Sequence, residues 1–279
     1  MRDRSLFPDK QGRTARVQTF SIEQGLRALQ RFLVAEWRLA LPVALAFLAF
    51  PPLILTLVAR PFFVTAPATF DGMRTLGAAL PGWFVPLLAL LALVTAAGAL
   101  ALTALAVLPR ISVGEAIVTA LRRLPIWIAA CMIVAAGTFV LLALIATIAA
   151  VIGGGQVAIF TATFVTLIAA SLYLVLVMPV LVETPLGPIA VLRRAWTIYH
   201  GFLPRLAAGL ILFVGVAWVA SMAVQVALGS VLLLIGRLAG AAEVGQTLAA
   251  VLAALVSAVE WGSFYVFAAM LYRQVTGRG

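Results

Sequence analysis

The chain is short of charge, of cysteine and of the residue types on which most catalytic chemistry rests. Only 10% of its 279 residues are charged, against roughly 25% in an ordinary soluble domain. A soluble fold must keep enough polar residues to face water, and a chain that is 65% hydrophobic cannot supply them. The lone cysteine, Cys131, excludes an intrachain disulfide and a thiolate metal cluster. The lone histidine, His200, excludes a His-rich zinc motif and reads as a polar surface group near a helix end. No Gly-x-x-x-x-Gly-Lys phosphate loop and no dinucleotide fingerprint occurs. The first 38 residues are polar and charged, with no early apolar run of a cleavable signal peptide. No cofactor and no metal is implied, and the reading is of a protein that is not an enzyme.

What the chain does have is apolar length. A crossing of roughly 30 Å of hydrocarbon needs about 20 mostly apolar residues. Six runs qualify: Leu39–Ala59, Trp83–Leu108, Pro125–Ile152, Gln156–Val182, Ala207–Gly236 and Thr247–Leu271. The expected fold is therefore all-α, a multi-pass bundle of six transmembrane helices spanning residues 20–279, after a disordered basic tail over 1–19. Only Gly153-Gly154-Gly155 separates the third and fourth runs, so these two helices should be antiparallel neighbours. Several runs exceed the minimum length, so tilt is expected. The segment Arg60–Gly82, with Phe62, Phe63 and Phe70, reads as an outer loop lying on the membrane surface or as a plain connector.

The net charge of +10 comes almost wholly from arginine, with eighteen Arg and one Lys. These residues sit between apolar runs rather than on one polar face, so nucleic acid is not the expected partner. Sixteen of the nineteen fall on the side of the two termini and three on the other. Without Met1–Thr19 the ratio is still eleven to three. The positive-inside rule then places both termini in the cytoplasm. The same basic segments make membrane lipids, and anionic headgroups in particular, the expected partners. A membrane-protein partner is the other candidate.

Three segments between the runs resemble one another. Ser21-Ile22-Glu23-Gln24 leads to Leu26 and Arg31; Ser112-Val113-Gly114-Glu115 leads to Ile117 and Arg122; Thr184-Pro185 leads to Ile189 and Arg194. Gln24 and Glu115 complete capping boxes in the first two; in the third, Pro188 shifts the helix start towards Gly187. The pattern predicts three cytoplasmic amphipathic helices, lying at the membrane interface or packed beneath the bundle. Their apolar faces are Ile22, Leu26, Leu29 and Leu33, then Val113, Ile117, Leu121 and Leu124, then Ile189, Leu192, Trp196 and Tyr199. Each helix is followed by two spans. That is a parallel three-fold repeat over about 20–108, 111–182 and 184–272. Its candidate lipid contacts are Arg31, Arg122, Arg123, Arg193, Arg194 and Trp196. Mitochondrial carriers share a three-by-two-span plan, but their Pro-x-Asp/Glu-x-x-Lys/Arg signature is absent here.

The stretch carrying Tyr173, Pro179, Glu183, Ala190, Arg193, Arg194, Trp196, Gly201 and Phe202 resembles a bacterial six-span membrane domain. That domain is attached to some glycerophosphodiester phosphodiesterases and also has stand-alone relatives. Ala195 departs from the serine usual after the second arginine. The resemblance implies a six-helix membrane domain of the bacterial inner membrane. It does not carry over catalysis, since this chain holds no phosphodiesterase domain.

One ionisable residue, Glu260, lies deep within a span. A carboxylate at that depth costs about 3 kcal/mol on insertion scales, so it must face the bundle, be protonated or have a partner. Gln225 in the fifth run is the candidate donor, with Ser257 on the face of Glu260. The plainer account is a protonated carboxyl bonded to Gln225 or to a backbone carbonyl. The sharper one is a proton- or cation-linked site. Ala250, Ala254, Ala258 and Gly262 form a ridge of small residues that reads as packing within the bundle. Three functions are thus in play: a non-enzymatic domain organising lipids or partners, a transporter or permease with Glu260 in its pathway, and an intramembrane enzyme. The last lacks a catalytic constellation.

Overall fold

In a computed structural model of the chain, residues 22–63, 81–108, 110–151 and 155–277 are described. The tail 1–19 and most of the Arg60–Gly82 segment fall outside them. The described residues are helical with no strand: α1 (Ile22–Ala44), a five-residue π segment (Leu45–Ala49), α2 (Phe50–Phe63), α3 (Phe84–Val107), α4 (Val113–Val151), α5 (Gln156–Glu183), α6 (Pro188–Tyr199), α7 (Leu203–Leu238) and α8 (Ala242–Val275). Six of the resulting rods are long and apolar enough to cross a bilayer, as expected from the sequence. α4 and α5 pack side by side, which fits the hairpin read from the triple glycine.

The three interfacial segments do not behave alike. The first runs unbroken from α1 through the π segment into α2, and the second is the opening of α4, with Pro125 inside the helix. Only the third is a separate helix, α6, set off by a turn at His200-Gly201 and by a proline in the first turn of α7. A switch from polar to apolar composition does not interrupt a backbone hydrogen-bond ladder. The capping box of the second segment is present. The Ser112 amide donates to Glu115 Oε2 at 2.8 Å and the Glu115 amide to Ser112 Oγ at 3.2 Å. Ser21 of the first lies outside the described residues.

The face each segment buries coincides only in part with the large-apolar faces read from spacing, at Leu29 and Tyr199. α1 buries Gly25, Leu29 and Phe32; α4 buries Ala116 and Ala120; α6 buries Val191, Ala195 and Tyr199. Leu26, Leu121, Ile189 and Trp196 point outwards. Lipid accepts large apolar groups as readily as protein does, so close approach at small residues such as Gly25, Ala116, Ala120 and Ala195 helps decide which face turns inward.

α8 is the hub, packing on α1, the π segment, α2, α3, α5 and α7. Its end meets the start of α1: a Cβ added at Gly25 would fall 2.9 Å from Leu271. Both described termini therefore lie on one side. Burial concentrates on that side, in Ala97–Ala106 of α3, Leu176–Val182 of α5 and Phe264–Tyr272 of α8. Small residues make this packing close. A Cβ at Gly98 would fall 2.2 Å from the Phe47 Cβ, and one at Gly262 would meet Ala44 and Leu102 at 3.5 and 3.6 Å. The ridge of small residues in α8 thus serves packing within the chain. In the π segment, the Phe50 amide reaches back to the Leu45 carbonyl. Pro51 and Pro52 follow and supply no N–H to the carbonyls of Phe47 and Leu48.

α7 and α8 form a long hairpin. α7 ends in a Schellman motif, with Gly240 at φ 69° donating to the Arg237 carbonyl and Ala241 to that of Gly236. Beyond the turn, Gly236 and Gly245 touch backbone to backbone, since a Cβ on Gly236 would lie 2.7 Å from the Gly245 Cα.

Candidate functional site

An open groove of about 490 Å³ runs along the α7–α8 hairpin. One helical face of α7 contributes Phe213, Ala217, Ala220, Ser221 and Val224, and one face of α8 contributes Leu255, Val256, Val259, Glu260 and Ser263; Leu29 of α1 completes it. From Phe213 to Val224 the wall extends about 16 Å at about 1.5 Å per residue. Ala217 and Ala220 leave the space that larger side chains would fill. Phe213 stacks on Phe267, with ring centroids 4.7 Å apart, and anchors that wall to the packed core.

Glu260 and Ser221 are the polar centre of the groove. Ser221 Oγ donates to Glu260 Oε2 at 2.7 Å. Counted from the termini side, Glu260 stands fifteen residues inside the end of α8 and Ser221 eighteen inside the start of α7. Those positions correspond to depths of about 22 and 27 Å. Gln225 lies a further turn along α7, about 33 Å from the same end. The depths explain why Ser221, and not Gln225, meets the carboxyl. Gln225 and Ser257 are half-buried and do not line the groove. Among the described residues no cation pairs with Glu260; Arg27 pairs with Glu23 on the surface of α1.

A second polar cluster closes the termini side. The Tyr272 hydroxyl of α8 donates to Glu183 at the end of α5. Tyr199 of α6 packs edge-on against Tyr272, with ring centroids 6.3 Å apart. The Tyr199 hydroxyl is fully buried and has no hydrogen-bond partner among the described residues. Burial, and then the neighbouring Tyr272, push its phenol well above its ordinary pKa, so it is neutral. Tyr173 of α5 donates to the Leu192 carbonyl at 2.7 Å and stands edge-on to Trp196 at 6.4 Å. The resemblance-bearing stretch is thus the α5–α6 corner, with Tyr173, Glu183 and Trp196 all engaged there. Spacing puts Tyr199 on the apolar face of its segment and its type suits a headgroup region, but the structure buries it fully; nothing in the spacing singles out Tyr272.

The candidate lipid contacts are spread along the same side. Arg122, Arg193, Arg194 and Trp196 are exposed and Arg123 is half-buried, on α4 and α6, which pack together. Arg31 is exposed on α1, its Nε 3.4 Å from the Arg27 carbonyl. His200 is exposed beside the Thr197 carbonyl. Among the described residues no three His, Cys, Asp or Glu side chains converge as a metal site would require. Comparison of the sequence with protein-family models, and of the chain with curated proteins and solved structures, returns no match.

Proposed function

We propose that this chain is a non-enzymatic protein of a bacterial inner membrane, with both termini cytoplasmic, whose α7–α8 groove holds a lipid-like molecule. The observation that carries this reading is the groove itself. It is open and apolar along its length, and it holds a carboxyl–hydroxyl pair about midway along α7 and α8. Sites for small apolar ligands combine just such a lining with a few convergent polar groups. Exposed arginines and Trp196 on α4 and α6 supply a headgroup-facing surface beneath it. The resemblance of the α5–α6 corner to bacterial six-span domains supports the location, and the sixteen-to-three distribution of basic residues supports the orientation.

Native mass spectrometry of the purified protein tests the groove. Wild type should retain a lipid-like species that Ala220→Trp, which fills the space beside Ser221, does not. Identical spectra would sink the reading. Fusions to alkaline phosphatase and to a fluorescent protein at the C-terminus test orientation, and phosphatase activity there would reverse it. A second reading, proton- or cation-linked transport, is favoured by one observation, the deep carboxyl of Glu260. It requires that Glu260→Gln abolish coupling in a proton-flux assay on reconstituted vesicles.

A further inference from the structure

We infer that the groove selects a lipophilic amine, an aliphatic chain or ring system bearing a protonated amino group that pairs with Glu260. The inference rests on the reading of the groove as a binding site and adds the chemistry of what fills it. Every polar side chain lining the groove is either acidic or a hydroxyl: Glu260, Ser221 and Ser263. No arginine, lysine or histidine lines it. A phosphate or carboxylate arriving there would find no counter-charge and would face a carboxyl. None of the arginines named as candidate lipid contacts lines the groove either.

The carboxyl has capacity for a ligand. Ser221 engages Oε2, and among the described residues no hydrogen bond reaches Oε1. An ammonium group offers three donors and the missing charge. A charge-assisted bond of this kind is about twice as strong as a neutral one, and the surrounding hydrocarbon strengthens it further. An alcohol of the same tail would gain a single neutral bond. The apolar remainder of the ligand lies along Phe213, Ala217, Val224 and Val256, which present no polar atom that a hydrocarbon tail would leave unpaired.

The test uses the full chain in a nonionic detergent and three probes with one tail: dodecylamine, dodecanol and dodecanoate. Their effect on the melting temperature is titrated to give apparent affinities. Wild type should bind dodecylamine about ten- to a hundredfold more tightly than dodecanol, the range a charged hydrogen bond supplies. Dodecanoate should bind worst. Glu260→Gln should reduce dodecylamine to the affinity of dodecanol, and Ala220→Trp should remove both. Equal affinity of dodecylamine and dodecanol for wild type, with both lost in Ala220→Trp, overturns the amine inference and leaves the groove as a lipid site. Dodecylamine binding that survives both substitutions overturns the two together. Should Glu260→Gln not fold, Glu260→Asp replaces it: the shorter acid must weaken the amine and leave the alcohol unchanged.

Discussion

The half of the bundle that carries the termini and the half opposite are made of the same residue types but packed differently. Near the termini, Leu100, Leu102, Leu181, Leu206, Leu271 and Tyr272 are shut away from the surroundings. In the opposite half, Leu90, Phe139, Phe160, Phe164, Val226 and Leu234 are all more than half exposed. α4 beyond Cys131, α5 before Leu172 and α7 beyond Leu210 stand mostly in contact with the surroundings, whereas α2 and α3 stay paired, with Ala59 and Phe84 buried. Hydrophobicity does not distinguish the halves. In lipid it gives helices no reason to associate, and contact forms where backbones can come close or where polar groups meet. The termini half has both: the alanine- and glycine-rich Ala97–Ala106 stretch, and the tyrosine–glutamate cluster. The groove of Glu260 lies where the two kinds of packing meet, with Phe213 and Ser263 towards the packed side and Val224 and Leu255 towards the open one.

The largest effect expected from this contrast is at glycine. Gly98→Val places a branched side chain where even a Cβ lies 2.2 Å from Phe47, whereas Gly137, in the open part of α4, has no atom within 4 Å of an added Cβ. Gly98→Val should cost about 3 kcal/mol or more, and Gly137→Ala should be neutral or slightly stabilising, measured by unfolding in mixed micelles. Equal losses would erase the distinction between the halves. Next comes cavity formation. Leu100→Ala should cost about 2 kcal/mol, nearly all from lost packing because lipid is as apolar as leucine, and Leu234→Ala should cost under about 0.5 kcal/mol. A comparable cost at Leu234 would mean that a second chain covers that face. Smaller still, Tyr272→Phe removes a bond to Glu183 and should lose about 1.5 kcal/mol. Tyr199→Phe should move the other way, gaining about 1 kcal/mol, because it deletes a buried hydroxyl that bonds nothing. A loss at Tyr199 would show that a water satisfies it.

Much of this architecture is legible without coordinates, and the places where it is not share a cause. Six spans follow from length and apolarity, which act along one helix at a time. Glu260 stands out because no other ionisable residue lies so deep. Its contact with Ser221 depends on how two helices align, and the hairpin turn holds the clue. Ser221 lies nineteen residues before Gly240 and Glu260 twenty after it, so a symmetric hairpin brings them level; Gln225 is only fifteen before. The buried faces of α1, α4 and α6 follow the large apolar positions only in part, for a related reason. Size of apolar residue predicts burial against water, but against lipid the small side chains Gly25, Ala116, Ala120 and Ala195 turn inward. Tyr199 and Tyr272 gain their roles only from the meeting of α5, α6 and α8, which no local pattern announces.

The π segment between α1 and α2 has a consequence for how this chain tolerates insertion and deletion. A wide turn accommodates one residue more than an α-helical turn, and each residue advances the helix by about 100°. Removing Ala46, which is exposed and packs on little, would let the ladder close as an ordinary helix. Everything after it would then rotate by that angle relative to everything before. Ala59 would leave its buried position while Leu29 and Phe32 kept theirs. The single extra residue therefore sets the angular phase between the two ends of the first span, and so decides which surface each end turns to α8 and α3.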